Sequence, residues 1–410
     1  MKKYILIVLI ALGCKKVNTP TNNNVTVPDE ISGVVQKGPF TAGSSLTLFE
    51  LDNQFNPTGS IFNTQVTDDK GTFVFNTTGL NSRYCILKAD GYYFNEDQAF
   101  ISNSPLTLYS LCDVADTATR FNVNVLTHLI KPRIEYLIQN GNTLQDSKKQ
   151  AQAELLHVFG LSKPDIKAFE NLDIIMPGDD NALLLAISLI VQGSNYSIPF
   201  GNFDGNFSEL LTNIANDIKT DGVLNNDPLL YRLLNNSFLI RESAVHTNLS
   251  NRYSQLGQTI ANLDIRKYVD SFITQTSLRL DGNSIYFPDK VYDSNYNILR
   301  LTDFDFYGNP SQPNISTLLM NVYVPLNTTL SVRIEEIDSL SHPTGLISNL
   351  YDIVGVGNSI DPTATHSKLV VFPNLSTLYH IDLAKGYSYK LKYFINGSTT
   401  PTIDREISVQ

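Results

Sequence analysis

The chain has no tryptophan, and only three cysteines, three methionines and six histidines among 410 residues. Each scarcity removes a class of chemistry. Without Trp the usual platform for stacking on sugar rings is missing, which leaves that role to the 20 Tyr and 21 Phe. His128, His157, His246, His342, His366 and His380 lie far apart, with no H-E-x-x-H and no C-x-x-C, so only folding could assemble a zinc site. No G-x-S-x-G nucleophile turn occurs, and Gly355-Val-Gly357 is a lone G-x-G that reads as a turn. Basic residues are short as well: 30 Lys and Arg stand against 40 Asp and Glu, a net charge of −10 that works against nucleic-acid binding. Charged residues are 17% and hydrophobic ones 42%, the balance of a folded chain, and the length suggests two to four domains.

The N-terminus is the most specific segment. Met1-Lys2-Lys3 is a basic start, Tyr4 to Leu12 is apolar but too short for a permanent membrane span, and Ala11-Leu12-Gly13-Cys14 ends in a small residue before Cys. This order resembles the lipobox of bacterial lipoproteins, with Ala11 where Leu is more usual. The resemblance implies that residues 1–13 are a signal peptide and that Cys14 carries lipid, anchoring the chain in the cell envelope. Lys15 and Lys16 follow, so no Asp suggests inner-membrane retention, and the outer membrane is the expected address, on either face. Residues 14–29 include the Asn-rich stretch Thr19 to Thr26 and read as a flexible tether.

The other two cysteines, Cys85 and Cys112, are a disulfide candidate in an oxidising compartment. Alternation puts Cys85 on the face of Leu87 and Ala89, and Cys112 on the face of Leu106 and Leu108. A bridge between adjacent strands is one reading, and two buried thiols is the other.

Three regions follow along the chain. Residues 30–115 carry short, regularly spaced strands: Ile31–Val35, Ser45–Leu51, Tyr84–Ala89 and Leu106–Leu111, with a hairpin expected where Phe62 to Thr67 turns through Asp68-Asp69-Lys70-Gly71 into Thr72–Phe75. The run ISGVV…GSSLTLFELD…TQVTDDKGTFVF…YCILKADGYYFNE resembles the carboxypeptidase-regulatory-like, transthyretin-type β-sandwich, a module common as a non-catalytic accessory with a carbohydrate-binding-like fold. The resemblance covers about a fifth of the chain. Residues 116–284 change to helical periodicity, opened by Asn122, Asn124 and His128 and centred on the apolar segment Asn181–Gln192. Their strings NVNVLTHL, GDDNALLLAISLIVQG and ELLTNIANDIKTDGVL resemble a helical region found after this β-module in uncharacterised Bacteroidetes-type envelope lipoproteins. Residues 285–410 return to alternation and suggest an immunoglobulin-like β-sandwich. The expected fold class is therefore multidomain α+β, with a helical domain between two sandwiches.

Chemistry-bearing pairs are few. Asp303 and Asp305 share one strand face in Leu301-Thr-Asp-Phe-Asp-Phe306, where a hard cation would relieve their repulsion; a solvated face over buried aromatics is the simpler reading. Asp179-Asp180 suit a helix N-terminus, and His380 with Asp382 a surface pair. The Asn122, Asn124 and His128 cluster reads as polar side chains fixing backbone where strand gives way to helix. No cofactor and no catalytic residue is predicted. The expectation is a non-catalytic envelope lipoprotein for binding or scaffolding of glycans or surface proteins. An adhesin or pilus-type subunit is the next reading, and a carboxylate-dependent glycan hydrolase the third.

Overall fold

The computed structural model describes residues 27–114, 119–193, 203–238, 240, 242–281, 290–292, 298–300, 318–324, 329–347, 351–354, 367–372, 388–401 and 403–408. Within them the protein is mixed α+β: a β-rich N-terminal region, a helical middle and C-terminal strands.

Alternating apolar residues build the N-terminal sheets. β1 (Glu30–Gln36), β2 (Ser45–Leu51), β3 (Pro57–Gln65), β4 (Thr72–Asn76), β5 (Tyr84–Gly91), β6 (Phe94–Asn95), β7 (Phe100–Ile101), β8 (Leu106–Asp113) and β9 (Val123–Asn124) follow in order. One sheet runs β3-β2-β5-β8, all antiparallel; a second runs β4-β1-β9, and β6 pairs β7. The side chains of Leu46, Leu48, Leu87, Ala89 and Leu108 form the first sheet's buried face, as period-2 patterning requires.

The expected hairpin between Phe62 and Phe75 is not formed. Its turn is present, with Asp68 accepting from the amides of Lys70 and Thr72 and Thr67 N–H reaching Thr72 O. The two strands then diverge, β3 pairing β2 and β4 pairing β1. Gly71 explains the departure: at φ +85° its carbonyl accepts from Val35 N–H, and a Cβ there would lie 2.4 Å from Val35 O. The turn is thus pinned to the end of β1.

Among the described residues seven α-helices follow: α1 (Val125–Gln139), α2 (Leu144–Val158), α3 (Asp179–Gln192), α4 (Phe203–Asp217), α5 (Asp227–Phe238), α6 (Glu242–Gln255) and α7 (Arg266–Asp281). Asn124 caps α1 through a reciprocal box with Thr127, and Thr143 caps α2. α3 is buried from Asn181 to Gln192, the central helix its all-round apolarity predicts. α4 begins at Phe203, with Asn206 inside it, and α5 is capped by Asn226, whose Oδ1 accepts from Leu229 N–H, one residue before Asp227.

A single buried cluster runs from Ile31 to Ile273. It crosses the boundary expected near 115, because β9 leaves the helical side to pair parallel with β1 and α1 packs on β8. C-terminally, β10 (Lys290–Tyr292) pairs β11 (Ile298–Arg300), and β12 (Leu318–Val324) pairs β16 (Ser367–Phe372). A further sheet is built on β13 (Thr329–Ile337), flanked by β14 (Pro343–Ile347), β15 (Tyr351–Val354) and β17 (Ser388–Ile395), with β18 (Ile403–Ser408) beyond β17. Ile334, Ile337, Tyr389, Leu391, Tyr393 and Phe394 are its buried hydrophobic residues among those described.

Candidate interaction surface

Among the described residues, the sheet order places β3 at an open edge. Its sequence, Pro57-Thr-Gly-Ser-Ile-Phe-Asn-Thr-Gln65, contains no charge, although charged side chains are a common protection for such edges. Its protection is confined to one end, where Pro57 starts the strand and the register with β2 shifts between Phe49 and Leu51 beside Gly59 at φ +92°. From Ile61 to Gln65 the strand is regular, with Ile61, Asn63 and Gln65 exposed.

Ile61 also opens an apolar row across the sheet. It pairs Phe49, Phe49 pairs Ile86, and Ile86 pairs Leu111, so the four side chains share the outer face. Exposure falls along the row: Ile61 is 54% exposed, Phe49 and Ile86 are half-buried, and Leu111 is buried. α1 covers the β8 side of this face, where His128 stacks on Tyr109 at 5.8 Å and Thr127 Oγ1 donates to Tyr109 O. The row therefore emerges from beneath a helix and ends bare at the edge. A shallow groove of about 680 Å³ lies where β2 begins and β3 ends, lined by Ser45, Leu46, Asn63, Thr64, Gln65 and Val66 among others.

Elsewhere the charged side chains hold elements together. A cleft of about 400 Å³ between the first sheet and α2 contains Arg83, Asp113, Lys148 and Glu170, but all four are paired: Arg83 grips Asp113 with two N–H bonds, and Lys148 contacts Glu170. Arg133 binds Glu154 through both Nε and Nη2, and its Nη1 donates to the carbonyls of Thr220 and Lys219 beyond α4. Asp173 accepts from Gln36 and Arg120, tying β1 to the residues before α3. A second pocket of about 370 Å³ lies among α2, α5 and α7, lined by His157, Leu224, Leu230, Gln275 and Arg279 among others.

Cys85 and Cys112 face each other directly across β5 and β8. Directly opposed antiparallel residues have Cα atoms about 4.5–5.5 Å apart, within reach of a bridge. Both are buried thiols here. The hydrogen bond with Cys112, reinforced by burial, pushes the Cys85 thiol well above its ordinary pKa, which makes it a poor nucleophile. Next along the same row is Glu50. Burial pushes its carboxyl up, but donors from Thr58, Asn81 and Ser82 outweigh that and hold it low.

The junction cluster has a structural role. Asn122 Oδ1 accepts from Val34 N–H while its Nδ2 donates to Leu172 O, and Asn124 Nδ2 donates to Phe169 O. His128 is held as a neutral imidazole: burial, then the charge of Lys131, brings its pKa down to about 4. Asp179 and Asp180 reach outward to Lys267 and Lys163 instead of capping α3, whose N-cap is Gly178.

Cys14, Asp303, Asp305, His366, His380, Asp382 and the Gly355–Gly357 turn lie outside the described residues. Among the described residues, no group of three or more His, Cys, Asp or Glu could hold a metal ion, and no helix is long and apolar enough to cross a membrane. The open edge escaped the sequence because strand order, not alternation, decides which strand is last. Its one local signal is the lack of charge in β3. Comparison with known proteins finds no matching family model and no matching curated protein.

Proposed function

We propose that this protein is a non-catalytic lipoprotein of the cell envelope, anchored at Cys14 in the outer membrane, that binds or scaffolds a surface partner through the β3 edge. In this reading the N-terminal sheets are a transthyretin-type, carboxypeptidase-regulatory-like sandwich, and the C-terminal strands form an immunoglobulin-like one. The observation that carries it is the uncharged edge from Ile61 to Gln65, continuous with the apolar row Ile61, Phe49 and Ile86. An extended segment of another envelope protein suits that surface better than a glycan. Backbone N–H and C=O groups along an edge satisfy a partner strand, and alternate side chains of that strand would lie on the apolar row. A sugar would need flat aromatic faces, and only Phe49 offers one along the row.

The test is affinity capture with the full chain on native membranes, run beside a glycan array. Capture of one envelope protein, lost on Ile61→Lys with Asn63→Lys, supports the reading; saturable binding to a polysaccharide with no protein captured replaces the protein partner by a glycan. Failure of both overturns the binding role. The same open edge favours a second reading, a pilus-type subunit that accepts a strand from its neighbour. Concentration-dependent polymerisation of the purified chain would select it.

A further inference from the structure

We propose that Lys37 and Glu96 are the two halves of an intramolecular isopeptide bond, formed by condensation of the Lys37 amine with the Glu96 carboxyl. Both side chains are completely buried, and Lys37 Nζ contacts Glu96 Oε1. The inference goes beyond the binding reading and does not depend on it.

The backbone holds the pair in contact. Lys37 follows β1 and Glu96 follows β6; Phe94 N–H donates to Pro39 O, and Phe40 bridges Tyr93 in antiparallel register. Gly38 permits that approach, since a Cβ there would lie 2.0 Å from the carbonyl oxygen of Phe94. Helices then close the site. Ser188 of α3 donates to Lys37 O, Asn248 of α6 donates to the carbonyls of Glu96 and Asp97, and the Phe207 ring of α4 lies 5.7 Å from Nζ. Holding two reacting groups in one geometry replaces the entropy cost of a bimolecular encounter.

As an ion pair this arrangement is poorly satisfied. Glu96 Oε2 is buried without a hydrogen-bond partner, and among the described residues Nζ has one oxygen neighbour and an aromatic face. A buried charge pair is stable only where further hydrogen bonds serve its remaining protons and lone pairs. Burial lowers the Lys37 pKa, against the opposing pull of Glu96 and Asp97, so the site favours the neutral amine. The neutral amine is the nucleophile of an amide condensation, and the carboxyl it touches is the carbon centre it would attack.

The step balances without any co-reactant. The ammonium proton passes to the Glu96 carboxylate, and the amine lone pair adds to Cδ, forming the C–N bond. The C–OH bond then breaks as the leaving oxygen takes a proton from nitrogen, and one water departs. Asp97 is also buried, and its charge acts on Nζ. The product is a neutral amide in place of two buried charges. It would join the segment after β1 covalently to a hairpin that is packed against three helices.

The experiment is peptide mass mapping of the full chain, purified from membranes in detergent and digested with trypsin after denaturation. Lys16, Lys37, Lys70, Lys88 and Arg120 set the fragments. The proposal expects one branched species, residues 17–70 joined to 89–120 and lighter than their sum by one water, because trypsin does not cut at an acylated lysine. Recovery of free peptides 17–37, 38–70 and 89–120 at full mass would overturn it. The readout is on the unaltered protein, so no variant need fold.

Discussion

Lowering the pH should cost this protein stability through His128, by an amount that can be worked out. Its imidazole titrates near 4 in the folded chain against an ordinary 6.5, because burial and the nearby Lys131 disfavour its charged form. Between those two values the unfolded chain binds the extra proton, so stability falls as pH drops through 6.5 and stops falling below about 4. At pH 5 the unfolded imidazole is almost fully protonated and the folded one is about nine-tenths neutral, which destabilises the fold by about 2 kcal/mol relative to pH 7. The ring is partly exposed on one side, so this is an upper value. Paired carboxylates titrate too, and a variant must separate them. His128→Phe keeps a ring against Tyr109 but cannot take the proton. Urea denaturation of both proteins at pH 7 and pH 5 gives four stabilities. The wild type should lose about 1–2 kcal/mol more than the variant on acidification. Equal losses would refute the assignment of a buried neutral imidazole.

Other outcomes can be stated from the same geometry. If Cys85 and Cys112 are bridged in the oxidised protein, reductant should lower the melting temperature by an amount equivalent to roughly 3–4 kcal/mol on the loop-entropy model, and thiol titration in denaturant should count none of this pair before reduction; two titratable thiols would instead establish the buried-thiol reading. Arg133→Met should destabilise by about 3 kcal/mol in urea titration, since it strands Glu154 and the carbonyl of Thr220. Gly71→Ala should lose about 2 kcal/mol or more, as it combines a positive φ with a clash against Val35 O, and an unchanged midpoint would contradict the pinned turn.

Local patterns were legible where a single element decides them. The alternation of Tyr84 to Ala89 gives β5, and all-round apolarity from Asn181 gives α3. What was hidden depends on contacts far apart in sequence. Thr72–Phe75 alternates as a hairpin arm should, yet β4 pairs β1 because Gly71 packs against Val35. Val123 and Asn124 are only two residues of strand, and their pairing with β1 requires the helical region to be in place. The pairing of Lys37 with Glu96 is invisible for the same reason. Asn95-Glu96-Asp97-Gln98 has the composition of a solvated turn, and only the helices packed over it exclude water. The candidate surface is the converse: Ile61 fits an ordinary strand pattern, and its exposure follows from β3 being last in the sheet.

The most direct test of the binding role is site-specific photocrosslinking in intact cells, with the reactive side chain at Gln65 on the exposed face of β3. The account predicts one dominant crosslinked envelope protein, lost when Ile61→Lys and Asn63→Lys are introduced together while the far-ultraviolet circular dichroism stays unchanged. A crosslinking pattern identical in the wild type and the double variant would contradict it.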